Sequence, residues 1–122
     1  MNVSELLGKT LVSIEAEKDG HICKFETSEN DVYVMEHFQD CYESVFIEDI
    51  FGDTDDLLNT PILKASEDTN HDDLKDSEMK IHLDDSFTWT FYNLATIKGS
   101  VTIRWFGTSN GYYSEAVTFY KK

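Results

Sequence analysis

A two-residue rhythm of side chains constrains the fold of this chain more than any other feature. Phe87, Trp89 and Phe91 alternate with Thr88, Thr90 and Tyr92, and Val101, Ile103 and Trp105 alternate with Thr102, Arg104 and Phe106. Tyr113, Glu115, Val117 and Phe119 then alternate with Ser114, Ala116 and Thr118. Successive side chains of a strand point to opposite faces, so this period predicts three strands whose aromatic faces form the densest part of the core. The last two are expected to join through Ser109-Asn110-Gly111, where Asn-Gly supplies the positive φ of a tight hairpin.

The rhythm also governs the N-terminal third. Val12, Ile14 and Ala16 make one strand face, Asp19-Gly20 a hairpin turn, and Ile22 to Thr27 the returning strand. Ser28-Glu29-Asn30 and then Val32 to Met35 complete an antiparallel meander over residues 10 to 38. A β-branched and aromatic run from Cys41 to Ile50 reads as a further strand ended by Gly52. Ile62, Leu63 and Ala65 read as a short one. Helix signals are confined to Ser4-Glu5-Leu6-Leu7, stopped by Gly8, and to Asp53-Thr54-Asp55-Asp56, which leads into Leu57-Leu58 and is closed by Pro61. The expected fold is therefore α+β and predominantly antiparallel β. Two strand groups, residues 10 to 47 and 86 to 119, surround one core with one or two short helices.

A length of 122 residues suits one domain with a real core, and the 40% hydrophobic content lies within the globular range. Residues 1 to 122 are expected to form a single domain. Cys23 and Cys41 are too few for a disulfide scaffold, and no basic-then-apolar leader opens the sequence, so free thiols in a reducing cytosol are expected. The longest uncharged stretch, Ser86 to Ile97, is shorter than the ~20 residues of a membrane helix. No membrane association is expected.

The net charge of −14 is unevenly spread. Residues 48 to 85 hold thirteen acids and three lysines, whereas residues 86 to 122 hold four basic residues and one acid, Glu115. Within the acidic part, residues 67 to 79 offer only Leu74 and Met79 as large apolar side chains and read as a mobile acidic loop. Ile81 and Leu83 could begin a short edge strand beyond it. An acidic run of this kind has a bland role, keeping the protein soluble. Its sharper role is mimicry of nucleic acid, since fixed carboxylates can occupy a basic groove in place of a phosphate backbone. Glu48, Asp49, Asp53, Asp55 and Asp56, beside expected strand and helix, are the candidates for that contact.

Two strings carry a family resemblance. The first is Phe87-Thr88-Trp89-Thr90-Phe91-Tyr92, then Gly99, Val101-Thr102-Ile103-Arg104-Trp105, Gly107 and Ser109-Asn110-Gly111-Tyr112-Tyr113-Ser114-Glu115. The second is Gln39-Asp40-Cys41 with Glu43, Ile47-Glu48-Asp49-Ile50, Gly52-Asp53, Asp56-Leu57 and Pro61-Ile62. Together they resemble a small family of uncharacterised proteins encoded by bacteriophages and bacterial genomes. That family carries a second cysteine after the first, where this chain has Tyr42, so no cysteine-pair chemistry is carried over. The resemblance implies a phage or prophage accessory protein and supplies no reaction.

Three further groupings bear chemistry. His37, Asp40, Cys41 and Glu43 place nitrogen, thiolate and carboxylate ligands within seven residues, a weak metal candidate that matches no established spacing. His37 with Cys41 could also pair a base with a thiol, but no orienting residue or oxyanion donor accompanies them. Arg104, Trp105, Asn110, Tyr112, Tyr113 and Glu115 could stack and hydrogen-bond a nucleotide-like ligand, or could simply build a twisted hairpin. Glycine-rich phosphate loops are absent. The expectation is a non-enzymatic protein without a cofactor that acts by binding. Its partner is a host protein with a basic surface, and direct nucleic-acid binding is not expected. Sequestering a nucleotide, or binding a metal, are the alternatives.

Overall fold

The computed structural model describes residues 2–39, 43–71, 86–109 and 114–122. Eight strands occupy most of them: β1 (Leu11–Glu15), β2 (Ile22–Thr27), β3 (Val32–Glu36), β4 (Ser44–Phe51), β5 (Lys64–His71), β6 (Ser86–Thr96), β7 (Gly99–Ser109) and β8 (Thr118–Lys121). They form two four-stranded antiparallel sheets, ordered β1-β2-β3-β8 and β4-β7-β6-β5. Among the described residues the helical content is two 3-10 turns, Val3–Leu6 and Thr54–Leu57. This is the β-rich architecture with short helical turns that the alternation predicts. Among the described residues, no helix is long and apolar enough to cross a membrane.

The sheets divide the strands differently from the expected groups. β4 joins the C-terminal strands, and β8 leaves them to pair with β3. β7 and β8 are therefore not hairpin neighbours, and the Asn110-Gly111 pair expected to join them lies outside the described residues. Both edges of β7 are already taken, by β4 and β6, so a chain leaving Ser109 has no free edge along which to return. It crosses to the other sheet. The tight hairpin of this half lies at Ile97-Lys98, where Thr96 faces Gly99 across β6 and β7.

The phase of β6 is also a correction. Thr88, Thr90, Tyr92 and Leu94 are buried, whereas Trp89 and Phe91 face the opposite side and are half-buried. Large side chains occur in both phases of this strand, so period two announces a strand without choosing its inner face. Glu67 to His71, expected as part of a mobile loop, instead extend β5 along β6, from Lys64 opposite Ala95 to His71 opposite Thr88. An edge strand needs only one partner and keeps one face toward water, so polar composition does not prevent pairing. The rest of that expected loop, with Ile81 and Leu83, falls outside the described residues.

One core cluster draws on both sheets: Phe25, Tyr33 and Met35 from the first, Ile47, Tyr92, Ile103 and Trp105 from the second, with Leu6 and Leu57 from the 3-10 turns. The turn at Asp19-Gly20 stitches the sheets together. The Asp19 amide donates to the Ile47 carbonyl at 2.7 Å, and the Ile47 amide donates to the Gly20 carbonyl at 2.8 Å, which occupies part of the free edge of β4. A second stitch joins Leu11 to residues 58–59, where the Asn59 amide donates to the Leu11 carbonyl at 2.8 Å.

Candidate functional site

The expected acidic contact is built on the end of β4 and the turn that follows. A register shift between Ile47 and Asp49 leaves Glu48 as an extra residue in β4 opposite β7. Such a bulge re-aims its side chain. The Glu48 carboxylate meets Arg104, with Oε2 at 2.6 Å from Nε and 2.5 Å from Nη2. The guanidinium also lies over two rings, 4.8 Å from the centroid of Phe51 and 5.1 Å from that of Trp89. Glu48 is thus committed to an internal pair and offers little charge to a partner. Asp49 accepts the Ile50 amide at 2.8 Å.

Asp53 and Asp55 are arranged for outward display, with Asp56 half-buried beside them. Gly52 adopts φ +102°, which swings the chain off β4, and Asp53 caps the Thr54–Leu57 turn by accepting the Asp55 amide at 3.0 Å. Leu57 is fully buried, and the Thr96 hydroxyl donates to the Asp56 carbonyl, so the turn is fastened from both sides. Asp53 and Asp55 are exposed, while the Asp56 carboxylate sits beside Gly99, where a Cβ would lie 2.9 Å from Oδ2. Next to them, Lys98 donates to the Leu58 carbonyl at 2.8 Å. Three acids therefore stand on an ordered turn, apart from the Glu48–Arg104 pair.

The expected stacking site does not assemble as drawn. Arg104 and Trp105 are adjacent on β7 and point to opposite faces: Arg104 to the outer aromatic face, Trp105 into the core at 1% exposure. Asn110, Tyr112 and Tyr113 lie outside the described residues. Glu115 is buried, accepting from the Thr88 hydroxyl at 2.8 Å and the Ser109 hydroxyl at 2.5 Å. Gly107 makes room for it, since a Cβ there would come 3.0 Å from both the Cβ and the carbonyl oxygen of Glu115. The outer face of the second sheet, where Phe46 and Trp89 flank Phe106, escaped the sequence reading. Its signal was the second phase of the same alternation.

Of the metal candidates, His37 and Glu43 come together and Asp40 and Cys41 lie outside the described residues. His37 Nε2 is 2.8 Å from Glu43 Oε2, and Nδ1 is 2.6 Å from the Ala116 carbonyl, so both ring nitrogens already face acceptors. Gln39 Nε2 donates to Glu43 as well, at 2.6 Å to its carbonyl and 3.0 Å to Oε1. The arrangement ties the end of β3 to the segment before β8. Among the described residues, no three His, Cys, Asp or Glu side chains are grouped to hold a metal ion. Cys23 is fully buried, and burial pushes its thiol well above the ordinary range, which leaves it without thiolate character.

Fold and site together define a small two-sheet antiparallel β domain with an ordered acidic turn. Residues 4–119 match the model of a family described as a domain of unknown function (DUF7448), and the chain belongs to that family. No curated protein and no solved structure matches the chain.

Proposed function

We propose that this is a non-enzymatic phage or prophage accessory protein that works by binding in the bacterial cytosol, as an acidic inhibitor of a basic host protein such as a nucleic-acid-directed defence effector. The supporting observation is the turn at Asp53–Asp56, where three carboxylates are held on a fastened platform instead of a tether. Carboxylates fixed in this way lose little conformational entropy on docking, and a net charge of −14 steers a cationic partner toward them. The phage and counter-defence parts of the proposal rest on the resemblance of the two sequence strings. Asp49 adds to this field at closer quarters, whereas the charge of Glu48 is offset by Arg104.

Affinity capture from a bacterial lysate at low and high salt tests this. A captured basic protein released by salt is the expected result, and the triple variant Asp53→Asn, Asp55→Asn, Asp56→Asn should weaken its capture and flatten the salt dependence together. Asparagine at position 53 still caps the turn, so the variant removes charge without removing the platform. Undiminished binding by the triple variant would reduce the acidic turn to a solubilising surface.

A further inference from the structure

His37, the first residue after β3, carries a ring that meets an acceptor on either side. Its Nε2 lies 2.8 Å from Glu43 Oε2 and its Nδ1 lies 2.6 Å from the Ala116 carbonyl oxygen. A neutral imidazole has one hydrogen, so it donates from one nitrogen and presents a lone pair at the other. Two contacts as short as these need two hydrogens. Whether the one between Nε2 and Oε2 rests on nitrogen or on oxygen, the pair holds one proton more than a neutral histidine beside a carboxylate.

That proton sits at a junction of the fold. The side chains of His37 and Glu43 are almost closed to water, at 5% and 1% exposure. Glu43 immediately precedes β4, and Ala116 belongs to residues 114–117, which lead into β8. The end of the β3–β8 ladder, Glu36 opposite Thr118, lies next to both. Among the described residues, three other titratable or charged groups stand close to His37 in the chain segments packed here. Glu43 touches the ring. Glu36, before it in β3, accepts the Tyr120 hydroxyl of β8, and Glu115, before Ala116, is held by the hydroxyls of Thr88 and Ser109.

We propose that His37 is a proton-operated clasp on the chain entering β8: with the extra proton it holds Glu43 and Ala116 together, and without it it releases Ala116. The order of release follows from the two acceptors. A carboxylate binds an N–H more strongly than an amide carbonyl does, and a buried charge short of a donor costs more than a carbonyl short of one. The single hydrogen of the neutral ring therefore stays between Nε2 and Glu43, whose Oε1 already takes the Gln39 amide at 3.0 Å. Nδ1 is left with a lone pair facing the lone pairs of the Ala116 carbonyl, a repulsive contact at 2.6 Å. Residues 114–117 then move off the ring, and the Glu36–Thr118 end of the ladder frays.

The test is an NMR titration of the whole chain from about pH 5 to about pH 9, which brackets the charge change of histidine, following imidazole nitrogens and backbone amides together. The His37 nitrogens, assigned through their own side-chain carbons, should report a hydrogen on Nδ1 at the acid end and a bare Nδ1 at the alkaline end. The amides of Ala116 to Phe119 should move with the same midpoint. Their hydrogen-exchange protection, corrected for the intrinsic effect of pH, should fall roughly tenfold across it, as the loss of one hydrogen bond from a charged donor implies. His37→Gln cannot titrate, so in that variant these amides should lose the midpoint; where it does not fold, the titration of the natural chain decides alone. The proposal is overturned if Nδ1 keeps its hydrogen throughout, or if protection at Ala116 to Phe119 does not change. It is equally overturned if these amides follow another of the four histidines, or if the midpoint survives in His37→Gln.

Discussion

Gly52 is the residue on which the acidic turn depends. At φ +102° a side chain is strained, and a Cβ at this position would collide with the Ser100 carbonyl across the sheet. Gly52→Ala should therefore cost roughly 3 kcal/mol or more in urea unfolding, because strain and overlap with a backbone atom act together. A cost within the scatter of ordinary surface substitutions would mean that the chain leaves β4 by another path. Buried acids of high pKa give a second prediction. Burial raises the Cys23 thiol and, with Glu67, the Tyr92 phenol, so the folded state holds protons that the unfolded chain releases. Stability from these groups is complete below their unfolded pKa values, about 8.5 for Cys and about 10 for Tyr, and falls as pH rises beyond them toward the folded values. Urea midpoints should decline from about pH 8.5 upward. Cys23→Ala should lower all midpoints by a cavity cost yet remove the decline between about 8.5 and 10, leaving the Tyr92 decline above it. An unaltered pH profile in that variant would show that Cys23 does not titrate on unfolding.

At the scale of elements, the sequence showed where strands are more faithfully than which strands meet. Alternation located β1 to β4, β6 and β7, and Asp19, at φ 68°, confirms the turn expected at Asp19-Gly20. The strand expected over Tyr113 to Phe119 meets β8 only at Thr118 and Phe119, since residues 114–117 are not strand. Pairing was less legible because it depends on edges that local patterns do not report. Asn-Gly at 110–111 has the residues of a hairpin, yet β7 had no edge left to offer. The inner face of β6 was hidden by Trp89 and Phe91, which are more apolar than the threonines they alternate with and yet belong to the outer face. The capping role of Asp53 was legible, since an acid ahead of a short helical segment has one favourable use. It also separates structure from recognition within one element. Asp53→Ala should cost about 1 kcal/mol of stability by removing the cap, whereas Asp55→Asn, whose side chain is exposed, should leave unfolding unchanged and act only on binding. Equal destabilisation by both would mean that Asp53 does not cap the turn.

For the whole molecule, charge sets two opposing salt responses. A net charge of −14 on 122 residues repels itself most strongly in the compact state, where the carboxylates lie closest. Cation pairs that offset this repulsion are few among the described residues: Arg104 with Glu48, and Lys121 with Asp31 at 3.3 Å. Both are partly exposed and so contribute little individually. Screening over a Debye length of about 10 Å at 0.1 M salt should then relieve more repulsion than it costs in attraction. Adding sodium chloride should raise the urea midpoint of the free protein while it weakens capture of a basic partner. The triple variant Asp53→Asn, Asp55→Asn, Asp56→Asn should diminish both responses, gaining stability at low salt as it loses affinity. That pairing separates a recognition surface from a merely solvated one, since a partner held by apolar contacts would be captured equally well as salt stabilises the fold. A midpoint that falls with salt would show instead that the ion pairs, and not the repulsion, dominate the electrostatics of this domain.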